Sequence, residues 1–305
     1  MRPLLGITYK LIAVTIFVAM ASLVKSISDT IPPGETVFFR SAFAVPVILI
    51  WLAWRGELRT GLKVSRPFGH FWRGLIGVSA MGFGFAALAY LPLPEVTAIG
   101  FAAPLLLVVF AAIFLGEDVR IFRFSAVLVG LIGVMVVLSP RLSLSGAADT
   151  AEALGAMLAL TGAVCTALAQ VTVRRLVATE QTSAIVFWFS ITAACLSLLT
   201  LPYGWAMPTA REAALLVAIG LMGGVGQIFL TSSYREADAS VIAPFDYAAI
   251  LLALVIGYWV FDEVPTLTML TGAGIVVSAG IAIIWRERQL GLERARQRKA
   301  MTPGG

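Results

Sequence analysis

Long apolar runs separated by short polar links set the rhythm of this chain. Ten can be marked, at about Leu4–Val24, Gly34–Trp54, Phe71–Leu91, Glu95–Leu115, Phe122–Leu138, Ala153–Val173, Thr182–Leu201, Glu212–Ser232, Ala239–Val260 and Thr266–Trp285. A nearly uncharged run of about 20 residues matches the hydrocarbon thickness of a bilayer. In lipid a segment must satisfy its own backbone polar groups, so each run is predicted as a helix. Pro32-Pro33-Gly34, Pro92 with Pro94, Ser139-Pro140, Pro202 with Pro208, and Pro265 all fall between runs, as chain breakers should. The predicted fold class is an all-α integral membrane protein with ten transmembrane helices.

The pattern is written twice. Pro94–Asp118 returns, 146 residues later, as Ser240–Val260 closed by Phe261-Asp262-Glu263, so that Phe101 falls on Tyr247, Thr97 on Ala243, Pro104 on Ile250 and Glu117 on Glu263. Gly82–Tyr90 likewise lies over Gly226–Tyr234. A repeat at this period points to two halves of one architecture. They are expected at 1–140 and 141–286, with 287–305 a basic cytoplasmic tail, frayed or disordered. Five spans per half is an odd number, so the second half must enter the membrane from the opposite side. Two inverted five-helix repeats follow, a geometry that secondary transporters use around a midplane site. With Ile250 in place of Pro104, the kink expected in the fourth span need not occur in the ninth.

Charge orients the chain. Of the 22 Lys and Arg, eighteen fall to one side, with Lys10 and Arg73 counted at span ends, and only Lys25, Arg141 and Arg211 to the other. The positive-inside rule then makes both termini cytoplasmic, most simply in a bacterial inner membrane. Arg2, an apolar run and Ala19-Met20-Ala21 resemble a cleavable signal, but nine further spans favour a retained first helix. At 59% hydrophobic and 13% charged, the chain is far from a soluble composition. Its scattered basic residues do not suggest nucleic acid. Cys165 and Cys195 carry no redox or metal spacing.

The layout and several short phrases resemble the EamA-type transporters of the drug/metabolite transporter superfamily. The phrases are Phe39-Arg40, Leu115-Gly116-Glu117, Ala239–Ala243 with Pro244-Phe245-Asp246-Tyr247, and Phe261-Asp262-Glu263. The resemblance covers about Ile7 to Trp285. It implies a carrier of a small metabolite, such as an amino acid, a nucleoside, S-adenosylmethionine or riboflavin, in either direction. It also implies a central cavity lined mainly by spans 1, 3, 4, 6, 8 and 9.

Candidate substrate contacts come from the residues themselves. Pro94, Thr97, Phe101 and Pro104 share one helical face, and Ser240, Ala243, Tyr247 and Ile250 answer them in the second half. Phe101 and Tyr247 would oppose each other as an aromatic clamp for a planar or amphipathic solute; packing alone is the alternative. Asp246 lies inside a span, where an isolated carboxylate is costly. It is a candidate for substrate binding or proton coupling, or else the partner of a basic group. Arg40 is a coupling or structural charge, with a structural anchor favoured and direct pairing with Asp246 not expected on depth. Gln170 and Gln227 offer neutral hydrogen-bonding groups, to solute or to neighbouring helices. Glu117 and Glu263 are read as structural, and His70 as a solvated interfacial residue.

The expected partners are thus a small-molecule substrate, the lipid bilayer and possible coupling protons. No cofactor, metal or catalytic residue is expected, and the oligomeric state stays open. HExxH, GxSxG and a P-loop are absent, and Ser22–Lys25 matches SxxK only by chance. The alternatives are an intramembrane enzyme, a non-catalytic membrane subunit or a metabolite channel.

Overall fold

The computed structural model describes residues 2–115, 121–141, 150–177, 179–237 and 242–301. Helices dominate, and there is no strand among the described residues. In chain order they are α1 Pro3–Ile27, α2 Pro33–Trp54, α3 Pro67–Leu88, α4 Leu93–Gly100, α5 Ala102–Leu115, α6 Ile121–Leu138, α7 Thr150–Val177, α8 Thr182–Ser197, α9 Ala210–Glu236, α10 Ala248–Phe261 and α11 Leu267–Met301. Short 3₁₀ turns at Leu198–Tyr203 and Ala243–Tyr247 extend α8 and precede α10. Among the described residues, eight helical stretches are long and apolar enough to cross a membrane, α4 with α5 counting as one. Two shorter apolar stretches, Phe124–Leu138 and Phe245–Phe261, bring the apolar segments to ten.

Local chemistry sets the ends. Proline occupies the first turn of α1, α2, α3 and α4, where its missing N–H costs nothing and its fixed φ suits a helix. This moves α3 forward to Pro67, four residues before the sequence expectation. Thr209 and Glu212 make a reciprocal capping box at α9. α10 ends on Asp262 at φ 55°, a left-handed residue that lets the Glu263 N–H donate to the Gly257 carbonyl. The C-terminal expectation is corrected: α11 runs on to Met301. Its last turns are rich in Glu, Arg, Gln, Leu and Ala, all strong helix formers.

The helices pack as neighbours across the chain rather than along it. α1 lies along α9, α3 along α7, α6 along α11, and α2 against α8 and α9. One apolar cluster gathers Ile99, Leu105, Val134, Ala163 and Val276. A second gathers Val14, Val24, Leu93, Leu216 and Ile219. Large apolar side chains such as Ile50, Ile121 and Trp259 stand exposed on the outside, which suits a hydrocarbon surround rather than water.

Candidate functional site

The fourth apolar run is two helices. Phe101 sits between α4 and α5 at φ −71° and ψ −2°. Pro104 explains the break, since it offers no N–H to the carbonyl of Gly100 and its ring crowds that oxygen. The ninth run changes winding at the equivalent place, from 3₁₀ at Tyr247 to α-helix at Ala248. It does so with Ile250 where the first copy has proline, so no proline at that position causes it.

Both changes of winding carry an aromatic ring. Phe101 and Tyr247 stack, with centroids 4.8 Å apart and planes inclined by 30°. The rings touch, and a planar solute can lie between them only if the two runs part. The Tyr247 hydroxyl rests on α11 at Gly280, where a Cβ would come within 1.5 Å of it. The preceding residue, Asp246, puts Oδ1 2.8 Å from Lys10 Nζ on α1. The Lys10 side chain is 2% exposed and that of Asp246 41%. A buried ammonium is tolerable only with an anion beside it. Asp246 supplies that anion while keeping much of its own carboxylate free for a further partner.

The remaining candidates are more scattered. Thr97 is half-buried, and its hydroxyl donates back to the Leu93 carbonyl at 2.8 Å, which removes it as a ready donor. Gln170 on α7 is exposed and Gln227 on α9 half-buried. Neither amide hydrogen-bonds another described residue. Arg40 is 6% exposed and lies away from Asp246, its guanidinium 5.8 Å from the centre of the Phe189 ring. Glu117 and Ser240 lie outside the described residues.

One end of the bundle is tied by ion pairs. Glu263 Oε1 is 3.0 Å from Lys25 Nζ, and its Oε2 accepts from the Leu93 N–H at 2.9 Å. Lys25 also donates to the carbonyls of Leu88 and Leu91, closing the end of α3. Arg141 donates to both oxygens of Glu95, at 3.1 and 2.9 Å, and pairs with Glu152. Glu95 foremost, these carboxylates hold the Arg141 guanidinium protonated more firmly than usual. At the start of α3, Glu180 accepts from the Ser65 and Arg66 N–H groups. His70 is corrected: it is 4% exposed and stands 3.7 Å from Glu180, buried rather than solvated.

Sequence reasoning missed two charges by counting them at span ends. Lys10 lies well inside α1, and Arg73 is six residues into α3 once Pro67 is taken as its start. The proline at the first helical position was the signal for the second. Among the described residues, no group of three His, Cys, Asp or Glu stands ready for a metal.

Known proteins share this pattern. Residues 4–139 and 153–286 both match the EamA-like transporter family. The chain belongs to that family. The pseudopaline exporter CntI of Pseudomonas aeruginosa is 31% identical over 91% of this chain and 95% of its own. An S-adenosylmethionine uptake transporter of Rickettsia conorii is 29% identical, covering 94% of each chain. A riboflavin transporter of Vibrio cholerae is also 29% identical, over 96% of this chain and 97% of its own. A solved crystal structure, 22% identical, superposes with a TM-score of 0.67 over 95% of this chain and 99% of that one, and speaks to the fold alone. This EamA-family member is a multi-pass integral membrane protein and a transporter of small metabolites.

Proposed function

We propose that this transporter works by alternating access, as two inverted five-helix halves at 1–140 and 141–286 that rock about the Asp246 region. Ten spans, cytoplasmic termini and a bacterial inner membrane complete the reading. The packing supports it: exchanging each span with its counterpart five later turns the α1–α9 contact into the α3–α7 contact. The same exchange leaves α6–α11 and α2–α8 unchanged. A pseudo-two-fold axis in the membrane plane has that property. The Lys25–Glu263 and Arg141–Glu95 pairs then seal the outer end and must open once per cycle. Carriage without catalysis is part of the proposal.

The observation that carries the site is the Lys10–Asp246 pair, one residue from the Phe101–Tyr247 stack. A proton or a cationic group of the solute competes with Lys10 for the half-exposed carboxylate. The stack offers an apolar wall to a planar or amphipathic solute. A vitamin such as riboflavin, a nucleoside-like compound or an amino acid fits this description. Thr97, Gln170 and Gln227 are the neutral polar groups proposed to assist.

Purified protein in sealed proteoliposomes tests the reading. Radiolabelled riboflavin, S-adenosylmethionine and a panel of amino acids are offered with and without an inward proton gradient. At least one should accumulate, and Asp246→Asn should lose gradient-driven accumulation while retaining counterflow exchange. Accumulation by Asp246→Asn that equals wild type and follows the proton gradient would remove the coupling role.

A further inference from the structure

Two buried arginines remain outside the site so far described. Arg40 on α2 and Arg73 on α3 converge on one ring, Phe189 of α8. Their guanidinium carbons lie 5.8 and 4.1 Å from its centre. They are near enough to repel each other. Arg40 Nε, and Arg73 Nε and Nη1, are buried without a hydrogen-bond partner, and so is the hydroxyl of the adjoining Ser41. The space is built closely around them. A Cβ on Gly223 of α9 would come 3.0 Å from Arg40 Nε, and one on Gly77 would overlap Arg73 and Phe189.

Depth makes this unusual. Arg40 is seven residues into α2 and Phe189 seven into α8, each about 10 Å from the start of its helix at ~1.5 Å per residue. No described carboxylate neutralises the pair. Glu35 spends Oε2 on the Ala206 N–H, and Glu180 serves Ser65, Arg66 and His70. An aromatic face attracts a cation, but recovers far less than desolvating a guanidinium costs. A structural anchor would need an acceptor, and neither side chain has one among the described residues.

Two fork-shaped donors with free N–H groups suit a group that accepts in a plane with two or three oxygens. We propose that Arg40 and Arg73, with Phe189 behind them, receive an oxyanion, carboxylate or phosphate, carried by the transported solute. This rests on the carrier reading above and narrows it: the solute is an organic anion or a zwitterion. A zwitterion could place its cationic group at Asp246 and its oxyanion at the arginines, one charge at each site.

The test uses the full-length chain purified in detergent and its thermal unfolding midpoint. Benzoate, phenyl phosphate and benzamide are the probes; they share a ring and differ in charge and oxyanion type. A ligand that prefers the folded state raises the midpoint. Benzoate or phenyl phosphate, or both, should raise it saturably, with the stronger of the two naming the oxyanion, and benzamide should not. Arg40→Gln and Arg73→Gln should each abolish the shift, and Arg73→Lys should weaken the probe about tenfold or more, because an ammonium lacks the fork. Without probe, Arg73→Gln should melt no lower than wild type, since it removes a repulsion; an anchoring role would lower it. Three probes without effect on the wild type overturn the proposal, even if no Gln variant folds. So does an anion shift that survives in Arg73→Gln. Gradient-driven transport of an uncharged solute alone would sink this inference and leave the carrier standing. An anion shift in a protein that moves nothing across proteoliposomes would do the reverse.

Discussion

Removing either partner of the Lys10–Asp246 pair should reveal what it contributes. At 2.8 Å the bare attraction is about 6 kcal/mol for an effective dielectric near 20, and about 1.5 kcal/mol in bulk water. The two-fifths exposure of Asp246 pulls the value toward the lower end. The two single changes are unequal. Asp246→Asn removes the carboxylate beside an ammonium that is 2% exposed, and should cost about 2–3 kcal/mol. Lys10→Met leaves a carboxylate that water can reach, and should cost about 1 kcal/mol or less. The double change removes the cation and this anion together, so it should be milder than Asp246→Asn alone, with a coupling energy of about 2 kcal/mol. Thermal unfolding of the four proteins in one detergent reads this out, with Asp246→Asn lower by an amount on the order of 5 °C. Equal losses from both single changes, or a double loss equal to their sum, would refute the reasoning.

Gly280→Ala should destabilise by about 1–3 kcal/mol, because its Cβ would overlap the Tyr247 hydroxyl; adding Tyr247→Phe should restore only part of the melting temperature, since the ring carbon Cζ still lies 2.5 Å from that Cβ. Glu263→Gln keeps an acceptor for the Leu93 N–H but takes the carboxylate from Lys25, leaving it two carbonyls, so it should cost about 1–2 kcal/mol in the same assay. Phe101→Ala and Tyr247→Ala should weaken uptake measured at limiting solute while leaving expression intact; wild-type uptake by both would remove the ring pair from the site. Reporter fusions at Gly305 and within 143–150 should report opposite sides of the membrane, and the same side for both would break the ten-span topology.

The apolar periodicity made the helices legible, because burial in lipid leaves a backbone few other choices. The aromatic juxtaposition was legible too: offset counting alone set Phe101 against Tyr247, and their rings stack. Charges inside the bundle were harder to read. Lys10 and Arg73 looked like span-end residues because long basic side chains near helix ends usually reach water. Their true depth depends on where each helix begins, the least certain quantity in any such reading. The partner of Asp246 was hidden for a different reason: pairing across 236 positions leaves no local trace, and only the packing of α1 beside the 3₁₀ turn brings Lys10 within reach. The change of winding at Tyr247 has no proline at the position matching Pro104, only Pro244 within the 3₁₀ turn itself.

The buried charges fall into three grades of compensation, and the grades bear on mechanism. At one end of the bundle Lys25 has a carboxylate and two carbonyl acceptors and Arg141 has two carboxylates, as expected of contacts that hold one conformation together. At Lys10 the cation is fully buried and its anion only half so, leaving the pair able to exchange a partner without stranding the ammonium. At Arg40 and Arg73 no described anion is present at all. A solute that supplied one would bind the conformation in which those guanidinium groups are gathered more tightly than any in which they are apart. Such a difference in affinity between conformations is the only way a solute can shift their equilibrium. The incompletely compensated charges therefore suit a protein that must respond to its cargo, and the fully compensated ones suit contacts that hold one conformation together.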